Sequence, residues 1–301
     1  MDASLTLLVD SASLIYRAFF STPGSVTAPD GRPMNAAHGF FGMLARLVAD
    51  INPDYLCCAA DEAWRPQWRV DLIPSYKSHR ADDPEQQKID RQVDVQTEVI
   101  FEFLQRCGVA VAGHPDHEAE DVIGTLVARC SDPVAIVSGD RDLFQLVRDP
   151  NVFVLFPRRG IGRMDFVDEA YIEKKYGIPA HAYRDFAVLR GDPSDGLPGA
   201  RGIGEKTASS LLSKHGSLEA VLEAAASSPN RASLGKVNAS REYLQRAVSV
   251  TTIRSDLPIA ERDLTRPRSE IDPAVVEDAA KYGLSGALRR LGAALSRRKA
   301  D

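Results

Sequence analysis

Three apolar runs, far apart in the chain, each end on an aspartate: Leu5-Thr6-Leu7-Leu8-Val9 into Asp10, Tyr55-Leu56-Cys57-Cys58-Ala59-Ala60 into Asp61, and Val134-Ala135-Ile136-Val137-Ser138-Gly139 into Asp140. A short apolar run bounded by turn residues reads as a strand covered on both faces, the habit of parallel sheets. In open α/β sheets the ligand sits beyond the carboxyl ends of the strands. Three such strands deliver three carboxylates to one crevice, and like charges gathered there are costly unless a cation lies among them. The pattern predicts a metal site on an α/β fold, with a mostly parallel central sheet and flanking helices.

The 301 residues suffice for one large domain or two smaller ones. No stretch approaches the apolar length of a bilayer span. Met1-Asp2-Ala3-Ser4 is acidic and leads straight into the first strand, so it does not read as a signal peptide. Cys57, Cys58, Cys107 and Cys130 sit in apolar contexts without metal-ligand spacing, which predicts free thiols and a reducing, cytoplasmic setting. Adjacent Cys57 and Cys58 should point to opposite faces of their strand. The net charge of −5 argues against nucleic acid until the acids are sorted. Nine carboxylates are candidate metal ligands; without them 37 basic residues face 42 − 9 = 33 acidic ones, a balance of +4 that is compatible with DNA.

Strand-like runs alternate with amphipathic stretches over 1–166, the βαβ signature of a parallel sheet. Helices are expected over Ser11 to Phe20, Ala36 to Ala49 and Ile89 to Cys107, with further strands at Val109 to Ala112 and Val152 to Phe156. Between about Trp64 and Arg91 the chain turns polar and basic and carries both tryptophans. Over 167–301 helices dominate: Tyr171 to Tyr176, His181 to Leu189 and Thr207 to Lys214, with Ala224 to Leu234 expected as an exposed loop. The chain closes on a basic helix and tail with Arg289, Arg290, Arg297, Arg298 and Lys299.

Three further acidic clusters accompany the strand ends. Glu118-Ala119-Glu120-Asp121 opens an apolar helix, with Glu118 and Asp121 spaced to share a face. Asp140 and Asp142 follow the third strand, and Asp192-Pro193-Ser194-Asp195 places a pair at a turn. Each alone has a bland explanation in capping or turn chemistry. Together, all at strand ends or turns, they match a two-ion magnesium site for phosphoryl chemistry, built from oxygen donors without His or Cys.

Asp10 with Tyr16-Arg17, Glu118-Ala119-Glu120-Asp121-Val122, Ser138-Gly139-Asp140-Arg141-Asp142-Leu143 and Gly191-Asp192-Pro193-Ser194-Asp195, in that order, resemble the 5′ nuclease family of flap endonucleases and bacterial polymerase exonuclease domains. The resemblance runs from about Leu7 to Leu222. It implies a PIN-like core with a helical arch at about 64–91, and a helical part holding a helix-hairpin-helix at about 191–222. The implied activity is cleavage of DNA near a 5′-flap junction with two Mg²⁺ or Mn²⁺ ions. By position, Asp10, Asp61, Glu118 and Glu120 would serve the first ion. Asp121, Asp140, Asp142, Asp192 and Asp195 would serve the second, with Glu120 and Asp140 near both. Glu120 stands where bacterial relatives usually carry Asp, and Gly196 where Asn is common.

The run Gly199-Ala200-Arg201-Gly202-Ile203-Gly204-Glu205-Lys206-Thr207 has Walker A spacing, but Glu205 occupies the required Lys position and no strand precedes it. It resembles instead a helix-hairpin-helix turn, whose backbone amides bind phosphate without reading sequence. Gly202, Gly204, Arg201, Lys206 and Thr207 are its candidate DNA contacts, and the resemblance implies a K⁺ ion held by its carbonyls. In Pro74-Ser75-Tyr76-Lys77-Ser78-His79-Arg80 the resemblance places Lys77 and Arg80 at the scissile phosphate, joined by Arg17. Cations there would stabilise transition-state charge, and Tyr76 is expected to stack on a base. A free-standing, monomeric enzyme is expected, with DNA as its partner. Clamp, ligase or polymerase partners are not readable. The rivals are a junction-binding module without catalysis, which has no reason to keep all nine acids, and a small-molecule phosphatase, which leaves the glycine hairpin without a role.

Overall fold

A computed structural model describes residues 4–158 and 160–297. Met1, Asp2 and Ala3 of the N-terminal run, and Arg298 and Lys299 of the basic tail, lie outside the described residues.

The first half runs β1 (Thr6–Asp10), α1 (Ser11–Ser21), α2 (Asn35–Ile51), β2 (Tyr55–Ala59), α3 (Gln67–Leu72), α4 (Ser78–Ala81), α5 (Pro84–Arg106), β3 (Ala110–Ala112), α6 (Ala119–Arg129), β4 (Val134–Val137), β5 (Val152–Pro157) and β6 (Met164–Val167). The helical half follows as α7 (Glu169–Tyr176), α8 (Tyr183–Arg190), α9 (Glu205–His215), α10 (Leu218–Ser227), α11 (Ala232–Ala239), α12 (Arg241–Thr251), α13 (Pro273–Asp278) and α14 (Ser285–Leu295).

All the strands join one sheet in the order β3-β2-β1-β4-β5-β6, parallel except for antiparallel β6. The order reverses between β1 and β4, and a doubly wound sheet opens its ligand crevice at that point. Asp10 ends one of these two strands, and Ser138-Gly139-Asp140 leaves the other. Every residue of β1 and β4 is buried, as strands covered on both faces require. Leu8, Ile136 and Val154 face a core shared with Val122, Phe144 and Tyr183, whereas Leu7, Val9 and Val137 face Phe40, Phe103 and Leu288. Cys57 and Cys58 fall on opposite sides of this division, and all four cysteines are free. The helical half shares the first core; α14 returns to the N-terminal body and closes the second against α2. Among the described residues no helix is long and apolar enough to cross a membrane.

Three local expectations are corrected. Ala224 to Leu234 is not one exposed loop: α10 continues to Ser227 and α11 starts at Ala232, because Ala225 and Leu234 are buried against neighbouring helices. Helix α5 starts at Pro84 rather than Ile89, since Asp83 accepts the Glu85 amide and proline suits the first turn. Strand β6 adds a short antiparallel edge that its partly exposed residues do not announce.

Gly124 shows how tightly α6 is seated. A Cβ there would lie 2.4 Å from Ile253 Cγ2 and 2.5 Å from the Arg254 carbonyl oxygen. Gly124→Ala should therefore lower stability by about 1–3 kcal/mol through overpacking. A urea midpoint that falls at unchanged m-value checks this.

Candidate active site

Asp10 is both the last residue of β1 and the N-cap of α1; one carboxylate oxygen accepts the Ser13 amide at 3.1 Å and the other accepts the Ser138 hydroxyl. The loop after β4 is pinned to the same place. The Gly139 amide donates to Ser13 Oγ at 2.8 Å, and the Asp142 amide to Asp140 Oδ1 at 2.8 Å. Hydrogen bonds thus hold the two strand ends at the switch point in fixed register.

The second acidic loop depends on glycine. At Gly191 (φ +81°) a Cβ would lie 2.6 Å from the Gly199 amide nitrogen and from the Leu197 carbonyl, so only glycine lets the chain double back and carry Asp192 and Asp195 toward the cleft. At Gly196 (φ +68°) a Cβ would stand 2.1 Å from the Ser75 carbonyl, which explains why this chain has glycine there. The segment carrying Lys77 lies directly on this loop. The Lys77 amide donates to the Asp195 carbonyl at 2.9 Å, Ser75 Oγ to the Gly196 carbonyl at 2.8 Å, and the Arg80 guanidinium to the Ser194 carbonyl at 2.9 Å.

The other side of that segment grips the start of α6. Arg69, fully buried, pairs with Glu118, with Glu120 at 2.9 Å and with Asp121 at 2.9 Å. Lys77 Nζ donates to Glu118 Oε1 at 2.6 Å, and the Tyr76 hydroxyl to Glu118 Oε2 at 2.8 Å. Lys77 adopts left-handed backbone (φ +49°), a conformation that a lysine holds only when its surroundings impose it.

These elements enclose a cleft of about 740 Å³. Asp10, Asp61, Glu118, Glu120, Asp140, Asp192 and Asp195 line it together with Lys77 and Arg80. Burial pushes Asp10 up to about 6, against the downward pull of the Ser138 and Ser13 hydrogen bonds. Burial, then the Glu118 charge, pushes Asp61 up to about 7. Burial and the Asp195 charge push Asp140 up to about 6. Burial raises Glu120 and Asp142 well above the carboxylate range as well. Among the described residues no three carboxylates, imidazoles or thiols yet converge closely enough to enclose an ion. The donor set nevertheless fits divalent cations. It is all oxygen, it is crowded with acids that repel one another, and Asp61 Oδ1 is buried without a hydrogen-bond partner.

Not every expected residue reaches the cleft. Asp121 is fully buried and does not line the cleft; its Oδ1 accepts the Arg254 amide at 2.9 Å in addition to the Arg69 pair, while its Oδ2 is buried without a hydrogen-bond partner. Asp142 is buried, does not line the cleft and senses it through Asp140 and Asp195. Arg17 donates to the Pro157 carbonyl at 3.1 Å and likewise does not line the cleft. Tyr76 is 2% exposed and spends its hydroxyl on Glu118, which rules out base stacking from this position. The expected arch is a folded wall, made of α3, α4 and the first turns of α5, and it contributes Trp64, Lys77, Arg80, Gln86 and Asp90 to the cleft.

Sequence reasoning missed several lining residues, four of them cationic or aromatic and well suited to DNA. Arg141 and Arg190 lie within the acidic motifs themselves, where the acids drew the attention. Phe20 and Trp64 are 66% and 41% exposed, unusual for large aromatics, and no periodicity marks them. The glycine hairpin stands apart from the cleft lining. Arg201, Gly202, Gly204 and Lys206 are exposed, Thr207 is half-buried, and Gly202 is left-handed at φ +77°. No side chain caps the start of α9, and Lys236 Nζ donates to the Gly202 carbonyl at 3.3 Å.

A mostly parallel sheet with an acid-lined cleft at its switch point, joined to a helical part with a glycine hairpin, defines the architecture of a 5′ nuclease. The comparisons agree: residues 5–177 match the family described as 5′-3′ exonuclease, N-terminal resolvase-like domain, and residues 178–272 the 5′-3′ exonuclease, C-terminal SAM fold. A 5′-3′ exonuclease of Streptomyces coelicolor is 45% identical over 95% of this chain and 98% of its own. One from Mycobacterium tuberculosis is 42% identical over 96% and 97%. Among solved structures the T5 D15 protein, co-crystallised with metal ions, shares the fold at a TM-score of 0.68 and 16% identity over 97% of this chain and 98% of that one. The chain belongs to the 5′-3′ exonuclease family.

Two outcomes follow from the charge arrangement. Asp10, Asp61 and Asp140 have folded pKa values above the ordinary 3.8, so the stability they contribute is fully present below about pH 4 and is lost as pH rises through 6–7. In EDTA the melting temperature should fall between pH 5.5 and 7.5, and Mg²⁺ should raise it more at pH 7.5; equal melting at both pH values in EDTA would refute this. Arg69→Met strands three buried or nearly buried acids and should cost about 3–5 kcal/mol in chemical denaturation. Arg69→Lys should recover only part of the loss, since an ammonium cannot fork between partners.

Proposed function

We propose that this chain is a structure-selective 5′ nuclease that uses divalent metal ions to hydrolyse phosphodiester bonds of 5′-flap or nicked duplex DNA in replication and repair. The observation that carries this reading is the cleft itself: eight carboxylates, Asp90 included, line it with Lys77, Arg80, Arg141 and Arg190 among them. Acids alone would repel a phosphodiester, and cations alone would only bind one.

Asp10, Asp61, Glu118 and Glu120 on one side, and Asp140, Asp192 and Asp195 on the other, would hold two Mg²⁺ or Mn²⁺ ions, with Asp142 in support. The T5 D15 protein, which shares this fold, binds metal ions in its crystals. The chemistry supplied at these residues by bound divalent ions would be activation of water and stabilisation of the leaving oxygen in an in-line attack on phosphorus. The protein's own part is electrostatic and steric. Lys77 and Arg80, fixed by the 194–196 loop, take the charge that grows on the phosphoryl oxygens. Arg141 and Arg190 add positive charge at the cleft, and Phe20 and Trp64 offer stacking faces to the bases beside the scissile bond.

At the hairpin, the amides at the start of α9, flanked by Arg201 and Lys206, are suited to duplex phosphate, which would anchor the substrate away from the cut. A K⁺ ion at the hairpin carbonyls would compete with Lys236 for Gly202.

An end-labelled 5′-flap duplex incubated with Mg²⁺ or with EDTA, beside Asp140→Asn, tests this reading. Cutting near the flap junction should require the metal and disappear in the mutant while DNA binding persists. An intact flap after incubation with metal-replete wild type would overturn it. Phe20→Ala and Trp64→Ala should each weaken flap binding about tenfold, from the loss of base stacking. The same substitutions should have little effect on a flap with abasic sites at the junction, as read by fluorescence anisotropy.

A further inference from the structure

Just before α6, and outside the cleft, the chain makes a tight turn, His114-Pro115-Asp116-His117, closed by the His117 amide donating to the His114 carbonyl at 3.2 Å. Asp116 holds left-handed backbone (φ +60°), and Trp68 Nε1 fixes the turn from outside by donating to the Asp116 carbonyl at 3.2 Å. This conformation turns the two imidazoles toward each other. Their Nδ1 atoms lie 3.1 Å apart, and the Pro115 carbonyl oxygen is 2.7 Å from the first and 3.1 Å from the second.

We propose that His114 Nδ1, His117 Nδ1 and the Pro115 carbonyl form a binding site for a borderline-soft divalent transition metal such as Ni²⁺ or Zn²⁺, separate from the oxygen-lined cleft. Donors held at about 2.1 Å from one six-coordinate ion stand about 3 Å from one another. The triangle of 2.7, 3.1 and 3.1 Å has the size of one face of such a polyhedron, so the donors need not move far to close on an ion. Both histidines are partly exposed, which leaves the opposite face to water. Packing holds the rings in place: they meet edge to face at 4.9 Å, and the Trp68 ring lies 6.0 Å from that of His117. Negative charge is close at hand, because the Glu62 carboxylate occupies the space that a Cβ on Gly113 would fill.

Donor chemistry sorts the two sites. Imidazole nitrogen favours Ni²⁺, Cu²⁺ and Zn²⁺ over Mg²⁺, whereas the cleft offers only carboxylate oxygen. Without a metal, the same geometry holds if the imidazoles donate Nδ1 protons to the Pro115 carbonyl, so ion binding must displace those protons. The site does not depend on the nuclease reading, and its test needs no DNA.

Ni²⁺ is titrated calorimetrically into the tag-free full chain with Mg²⁺ in excess, and Cu²⁺ electron paramagnetic resonance reports nitrogen ligation. One Ni²⁺ per chain is expected, with nitrogen hyperfine structure in the copper spectrum. Loss of even a supporting group weakens metal sites about 10–100-fold, so His114→Gln and His117→Gln should each weaken Ni²⁺ at least that much. Asp140→Asn, in the cleft, should leave Ni²⁺ binding intact. Unchanged affinity in both histidine variants, loss of binding only in Asp140→Asn, or no Ni²⁺ bound by wild type would each overturn the proposal. Thermal melts establish that the variants fold. Should His117→Gln melt early for want of its Trp68 contact, His114→Gln decides, since His114 has no part in that contact.

Discussion

One buried guanidinium makes the remaining arrangement possible. Arg69 lies fully inside the protein and meets Glu118, Glu120 and Asp121 at the opening of α6. Removing a cation and three acids from water is expensive, and the exchange succeeds only because each acid finds a partner at hydrogen-bonding distance. Without Arg69 the start of α6 would carry three charges into a low-dielectric interior, and Glu120 would lose its ion-pair partner, with Lys77 left to neutralise Glu118 alone. With it, α6 can begin beside the carboxyl ends of the strands, where its acids border the cleft. Asp10, Asp61 and Asp140, with which Arg69 forms no ion pair, are left with raised proton affinity, which is the condition in which a carboxylate cluster gains most from a divalent ion.

The same arginine belongs to the polar segment that closes the cleft, so neutralisation and substrate contact are parts of one structure. From Arg69 the chain passes through Tyr76 and Lys77, both bound to Glu118, and docks on the 194–196 loop through the Lys77 amide and the Ser75 and Arg80 side chains. Lys77 is therefore held between two acidic elements that come from opposite halves of the sequence. Its unusual backbone conformation is sustained by that double attachment. Gly191 and Gly196 serve the same end by letting two backbones approach more closely than any side chain would allow.

What the sequence reveals follows from how each feature is encoded. The strands ending on Asp10, Asp61 and Asp140 were legible because burial on both faces leaves a continuous apolar run that few other structures need. Their convergence was legible because a doubly wound sheet allows only one crevice. The separate fates of Glu118 and Asp121 were not. Helical spacing puts them on one face, but Glu118 is the N-cap, in extended conformation, and Asp121 lies a turn inside, where it meets Arg69 and the Arg254 amide. Tyr76 and Arg17 were misjudged for a related reason: a motif fixes which residues are near a site, while burial decides which way they point. Ala224 to Leu234 looked like a loop because Ser, Pro and Asn dominated the reading. The alanines before them needed only an apolar neighbour to stay helical.

The return of α14 to the N-terminal body bears on how the protein is made. Phe40 of α2 and Phe103 of α5 belong to a core that also includes Leu288 and Leu291 of α14. A ribosome releases the first two helices long before the last. The nascent chain must therefore hold one apolar side of its sheet only partly covered through the synthesis of the whole helical half. Domains generally fold as units as they emerge, but here the first half is finished by the last helix of the second. Completion of that core is a late event, timed by translation rather than by the intrinsic speed of β-strand pairing.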